Sequence, residues 1–125
     1  METNNPVHID VKTQYMPAQS SPKENRYAFA YTITITNQGK QTVQLISRHW
    51  LITDGNNRIQ EVRGEGVVGE QPFIEPGESY RYTSGAMLDT AVGSMEGSYR
   101  MTNAAGESFD APIAPFILTQ PGALH

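Results

Sequence analysis

The sequence predicts an all-β protein: a fibronectin-III- or immunoglobulin-like antiparallel β-sandwich of seven or more short strands. Three observations predict it. The dominant apolar period is two rather than 3.6, most plainly where Tyr27, Phe29, Tyr31, Ile33 and Ile35 alternate with Ala28, Ala30, Thr32, Thr34 and Thr36. Turn-forming residues recur roughly every 8 to 12 positions. No segment keeps helical spacing over a useful length. At 125 residues the chain reads as a single domain spanning 1–125, long enough to bury about two-thirds of its unfolded surface around one core.

The elements follow in order. Val7, Ile9 and Val11 alternate with His8, Asp10 and Lys12, which makes a short first strand. Pro17 to Asn25 is turn chemistry throughout, and its two prolines argue against regular structure there. The second strand is Tyr27 to Thr36, with large residues on one face and small or hydroxylated ones on the other. Asn37-Gln38-Gly39-Lys40 turns the chain into a third strand, Thr42 to Thr53. Val43 and Leu45 share one face of it, while Ile46, Trp50 and Ile52 share the other, so a bulge or two-sided burial is expected near Ile46. Asp54-Gly55-Asn56-Asn57 is the strongest hairpin signal and leads to a short strand around Arg58 to Arg63. Further strands are expected at Ser79 to Ser84, at Gly97 to Asn103, and from Phe109 through Leu118. Pro115 marks the last as an edge strand or a bulged one. There is no Cys…Trp…Cys frame, so the fibronectin-III form fits better than an antibody domain.

Composition excludes several functions. With no cysteine, disulfides and thiolate metal sites are out, which fits a reducing compartment. No apolar run approaches the ~18 residues that span a bilayer, and the first residues lack a basic start followed by an apolar stretch, so a cytoplasmic protein without a membrane partner is expected. Thirteen acids against nine bases leave a net charge of −4, and the bases are scattered, which argues against nucleic acid as a partner.

Gly64 to Gly85, GEGVVGEQPFIEPGESYRYTSG, is the most distinctive stretch. Gly64, Gly66 and Gly69 have G-x-G-x-x-G spacing, but EQPFIEPGES follows, and it cannot begin the helix whose N-terminus holds a pyrophosphate in a dinucleotide fold. A backbone nest for an anion is the remaining ligand reading. Charge opposes it, because Glu61 to Glu78 holds five glutamates and one arginine, Arg63. The glycines are then explained by positive φ at bulges and tight turns. The same glutamates lack the spacing of a calcium loop, so no metal site or cofactor is expected. His8, His49 and His125 have no spacing that brings them together, and Ser84-Gly85 lacks the nucleophile-elbow frame, so no catalytic residue is assigned. Arg48 and Trp50 share a strand face, which raises a cation–π or ligand-facing patch against the plainer reading of Trp50 in the core and Arg48 reaching solvent.

Taken together, AQSSP (Ala18 to Pro22), RYAFAYTITITN (Arg26 to Asn37), RHWLITDGN (Arg48 to Asn56), EVRGEGVVGEQPFIEPG (Glu61 to Gly77), YTSGA (Tyr82 to Ala86) and IAPFIL (Ile113 to Leu118) resemble the bacterial ApaG family. The resemblance runs from near the start of the chain to its end. It implies a fibronectin-III-like sandwich in the bacterial cytoplasm, a genetic association with cobalt and magnesium tolerance, and a gene neighbouring one for a diadenosine tetraphosphate hydrolase. Related domains in eukaryotic F-box and polymerase-interacting proteins look like interaction modules. The resemblance carries no catalytic residues.

The expected function is accordingly a non-enzymatic binding module of unestablished activity. Its loop from Arg63 to Gly77 would present an apolar tip, Val67, Val68, Pro72, Phe73 and Ile74, to a protein partner. Edge-strand pairing into a homodimer is a second use of such a scaffold. The alternative is a sensor of magnesium, cobalt, pyrophosphate or diadenosine polyphosphate that uses the Gly64–Gly69 loop amides with Arg63 and Arg48. The candidate binding residues are therefore Arg48, Arg63, Gly64, Gly66, Val67, Val68, Gly69 and Phe73.

Overall fold

The computed structural model describes residues 5–123. Eight strands form two antiparallel sheets: β1 (Val7–Tyr15), β2 (Tyr27–Asn37), β3 (Val43–Asp54), β4 (Ile59–Glu65), β5 (Phe73–Ile74), β6 (Ser79–Leu88), β7 (Val92–Asn103) and β8 (Ser108–Thr119). One sheet has the order β1-β2-β6. The other has the order β4-β3-β7-β8, with β5 pairing β3 as well. The fold class expected from the period-two pattern is the one observed.

The alternation in β2 is what closes the sandwich. Phe29, Tyr31, Ile33 and Ile35 all face the second sheet and are buried, while the threonines between them face outward. Trp50 of β3 sits opposite, ringed edge-on by Tyr31, Tyr99 and Phe116 at centroid distances of 5.6, 6.3 and 5.9 Å. So Trp50 is a core residue, although its indole Nε1 has no hydrogen-bond partner among the described residues. A hydrogen bond between the Tyr82 and Tyr99 hydroxyls joins the sheets across the interior. Burial holds both phenols well above the ordinary tyrosine range.

The face switch near Ile46 is a bulge. The β3–β7 register shifts between Leu45 and Ser47, leaving Ile46 as the extra residue. Pro115 meets both of its expectations at once, since β8 is a sheet edge and its register against β7 shifts between Met95 and Gly97.

Two strands outrun their expected bounds, β6 continuing past Ser84 to Leu88 and β7 starting at Val92 rather than Gly97, and three other expectations need correction. β1 does not end at Val11. It pairs with β2 as far as Tyr15, whose ring packs 5.5 Å from Phe29, so long-range pairing extends a segment whose own alternation fades. Pro17 to Asn25 is not devoid of regular structure, because Pro17–Gln19 and Pro22–Glu24 are short 3₁₀ turns, each with proline in its first turn. Phe73–Ile74 was read as loop tip and is instead a two-residue strand on Val43 and Gln44.

Candidate functional site

The loop between β4 and β5 is built by the bulge. Removing Ile46 from the ladder frees its carbonyl, which accepts hydrogen bonds from the Gly66 amide at 2.8 Å and from Gln71 Nε2 at 2.9 Å, one from each leg of the loop. Gln44 Nε2 donates to the Gln71 carbonyl, and the Leu45 amide donates to Pro72. Arg48 reaches beneath the loop, and its Nη1 donates to the carbonyls of Glu65 at 3.0 Å and Gly66 at 2.9 Å. Space for that guanidinium exists because residue 64 is glycine; a Cβ there would lie 2.8 Å from Arg48 Cζ. On the return, buried Asn37 donates through Nδ2 to the carbonyls of Ile74 and Gln41, while its Oδ1 accepts from Gly39.

The tip itself is a tight hairpin. Val67 and Glu70 exchange two backbone hydrogen bonds, at 2.8 and 2.9 Å, and the two residues between them, Val68 and Gly69, both have positive φ, +48° and +79°. A type I′ turn demands this backbone, and it favours Asn-Gly. Gly69 suits it. Val68 does not, because a β-branched side chain in the left-handed region costs about 1–2 kcal/mol. Gly66 also has positive φ, and a Cβ on it would come 2.2 Å from the Glu70 carbonyl oxygen.

The loop's apolar residues divide. Val67 is fully buried and Ile74 nearly so, whereas Val68 is 62 % exposed and Phe73 69 % exposed. Val67 is thus corrected from a contact residue to a core residue: its inward side chain helps fasten the hairpin to the sandwich. Of the other candidates, Gly64 and Gly66 shape the loop backbone and Gly69 forms its tip.

The same geometry engages most of the donors an anion nest would need, leaving the Val68 and Gly69 amides of the tip without an acceptor among the described residues. The amides of Gly66, Val67 and Glu70 are engaged within the protein, and Arg48 holds backbone carbonyls. Arg63 Nη2 donates to Glu61 Oε2 at 3.0 Å on the outer face of the β4-β3-β7-β8 sheet. Arg48 and Arg63 therefore leave the sheet on opposite faces, although both border the same surface depression. Arg48 and Trp50 do share the inward face, with Trp50 in the core; Arg48 is half-buried, donates to the loop carbonyls and still borders the surface depression.

The outer face of that sheet holds a shallow depression of about 490 Å³, lined in part by Ser47, His49, Arg63, Ser98, Arg100 and Asp110. His49 Nε2 lies 2.6 Å from Glu61 Oε2, and Arg100 Nε lies 3.1 Å from Asp110 Oδ1. The hydrogen bond from His49, aided by the Arg63 charge, holds the Glu61 carboxyl below its ordinary value. Each arginine here is matched by an acid, so the face has no net pull on an anion. Sequence reading missed these pairs, because they depend on which strands are neighbours. Among the described residues no three histidine, aspartate or glutamate side chains converge as a metal site would require, and no helix is long and apolar enough to cross a membrane. His125 lies outside the described residues.

The family profile described as ApaG domain matches residues 17–103. A protein named ApaG from Pseudomonas aeruginosa strain PAO1 is 59% identical over 124 residues, covering 99% of this chain and 98% of its own. Another from Azotobacter vinelandii is 56% identical over 119 residues, covering 95% and 94%. Among solved structures, an X-ray structure of a Northeast Structural Genomics Consortium target superposes with a TM-score of 0.91 at 52% identity, covering 96% of this chain and 91% of that one.

Proposed function

The chain belongs to the ApaG family, and from that premise we propose that it is a non-enzymatic binding module of the cytoplasm that grips a protein partner with the β4–β5 loop. The observation that carries this reading is Val68, a β-branched residue held at φ +48° with its side chain in solvent. Neither folding nor solubility favours that choice, because asparagine or glycine would suit the turn better and expose less apolar surface. Strain at an exposed apolar side chain is a mark of a contact residue. Phe73, five positions on, exposes a second large apolar side chain from a rigid strand. Their supports, Val67 and Ile74, are buried, so the pair is presented without a large ordering cost on binding.

The sensor alternative for magnesium, cobalt, pyrophosphate or diadenosine polyphosphate has less support, since Arg48 and the Gly66 and Val67 amides that it relied on already have partners within the protein.

Immobilised protein should retain a reproducible set of proteins from cytoplasmic extract. Phe73→Ala and Val68→Asp should each lose that set while keeping the circular dichroism spectrum and a cooperative melt. Equal capture by both folded variants would refute the reading.

A further inference from the structure

We infer that β6 is the seam of a two-fold homodimer, in which β6 of one copy pairs antiparallel with β6 of a second copy about Thr83. The surface is separate from the loop discussed above.

The sandwich has several sheet edges, and natural sheets protect theirs with proline, bulges, charge or brevity. β8 carries Pro112, Pro115, Asp110 and a bulge. β1 presents His8, Asp10 and Lys12 and packs against β8. β4 is seven residues long with Glu61, Arg63 and Glu65, and β5 has two residues. β6 has the least of this protection. Its ten residues, SYRYTSGAML, include one charge and no proline, and its pairing with β2 runs in unbroken register from Ser79 to Leu88.

The choice of a second copy as occupant comes from the order of sizes along β6. Its first half is large (Tyr80, Arg81, Tyr82) and its second half is small (Ser84, Gly85, Ala86). On the inner flank the small residues are matched by β2, where Ser84 faces Tyr31 and Ala86 faces Phe29. Among the described residues no strand pairs with the same rows on the outer flank. An antiparallel copy centred on Thr83 sets Tyr82 against the partner's Ser84, Arg81 against the partner's Gly85, and Tyr80 against the partner's Ala86. Half-exposed Met87 is then covered by the partner's Ser79. Each pair lies on one face of the joined sheet, as antiparallel pairing requires. The two Arg81 side chains end up four rows apart, roughly 13 Å, beyond a physiological Debye length of about 8 Å. The product is a continuous six-stranded sheet made from two three-stranded ones.

Sedimentation velocity from about 1 µM to about 1 mM tests this, a range suited to an interface smaller than a standard one. The wild type should convert reversibly from monomer to dimer. Thr83→Lys and Thr83→Glu, at an exposed position whose hydroxyl hydrogen-bonds that of Thr32, should each raise the midpoint at least about tenfold by placing like charges on the axis. An equimolar mixture of the two should dimerise again, and Phe73→Ala should dimerise like the wild type. A wild type that stays monomeric throughout overturns the proposal, as does a dimer indifferent to both Thr83 variants or one abolished by Phe73→Ala. A partner of another kind on this edge would give the first of those results.

Discussion

Strand β4 begins at one tight turn and ends at another, and the two are built on opposite terms. At its start, Asp54 Oδ1 accepts from the amides of Asn56 and Arg58, and Asn57 takes the positive φ of 64° that asparagine tolerates. At its end, Val68 takes a positive φ that a valine resists, and the loop is held by groups far away in sequence: the bulged Ile46 carbonyl, Arg48, Gln44 and Asn37. The first turn is satisfied largely by its own Asp54, with Thr90 accepting from the Gly55 amide, and it exposes polar residues. The second is imposed by the rest of the fold and exposes two apolar ones. Where local preference is overridden and the overriding groups hold an apolar side chain in water, function is the better explanation.

Four changes break or sharpen that contrast, and the largest effect is expected at Asn37. Asn37→Ala strands the buried carbonyl of Ile74, along with the Gln41 carbonyl and the Gly39 amide, and should cost on the order of 3 kcal/mol or more, read as a fall in denaturant midpoint at unchanged slope. Arg48→Met retains the stem and removes the donors to Glu65 and Gly66. A loss of about 1–2 kcal/mol is expected, with faster amide exchange in the second turn but not in the first; uniform acceleration would mean that Arg48 does not hold the loop specifically.

Val68→Asn converts the strained tip to the preferred Asn-Gly pair. It should raise stability by about 0.5–1 kcal/mol, and the melting temperature by a few degrees, while weakening partner capture. A variant both less stable and fully competent in capture would erase the distinction between the turns.

The smallest effect concerns pH. The Glu61 carboxyl titrates below its ordinary 4.5 in the folded protein because His49 and Arg63 favour its ionised form. Its contribution is therefore complete above that value and is lost as pH falls through the lower folded value. Glu61→Gln should lower stability slightly and evenly above pH 5, leaving the slope there unchanged, and should flatten the acid limb below it.

Much of the fold was legible because it follows from local signals. The inward face of β2, the bulge at Ile46, the Asp54 turn and the Pro115 irregularity each have a cause within a few residues. The loop was legible only in part. Five large apolar residues between Val67 and Ile74 announced an unusual segment, but their division into buried and exposed pairs depends on where the Ile46 carbonyl and Arg48 reach. Asn37 read as a turn residue, and its second task, holding Ile74 across 37 positions, has no local trace. The His49–Glu61 and Arg100–Asp110 pairs were invisible for the same reason, since cross-strand neighbours are set by register.

By itself, then, the sequence determined the sandwich, the apolar face of each long strand, and the places where turns and bulges fall, because periodicity and backbone preference act over a few residues. Only the tertiary structure decided which of two adjacent valines would be buried, that an arginine would reach the loop carbonyls, and which strand would lie at each sheet edge. Those outcomes depend on groups brought together from distant positions, and no local preference encodes them.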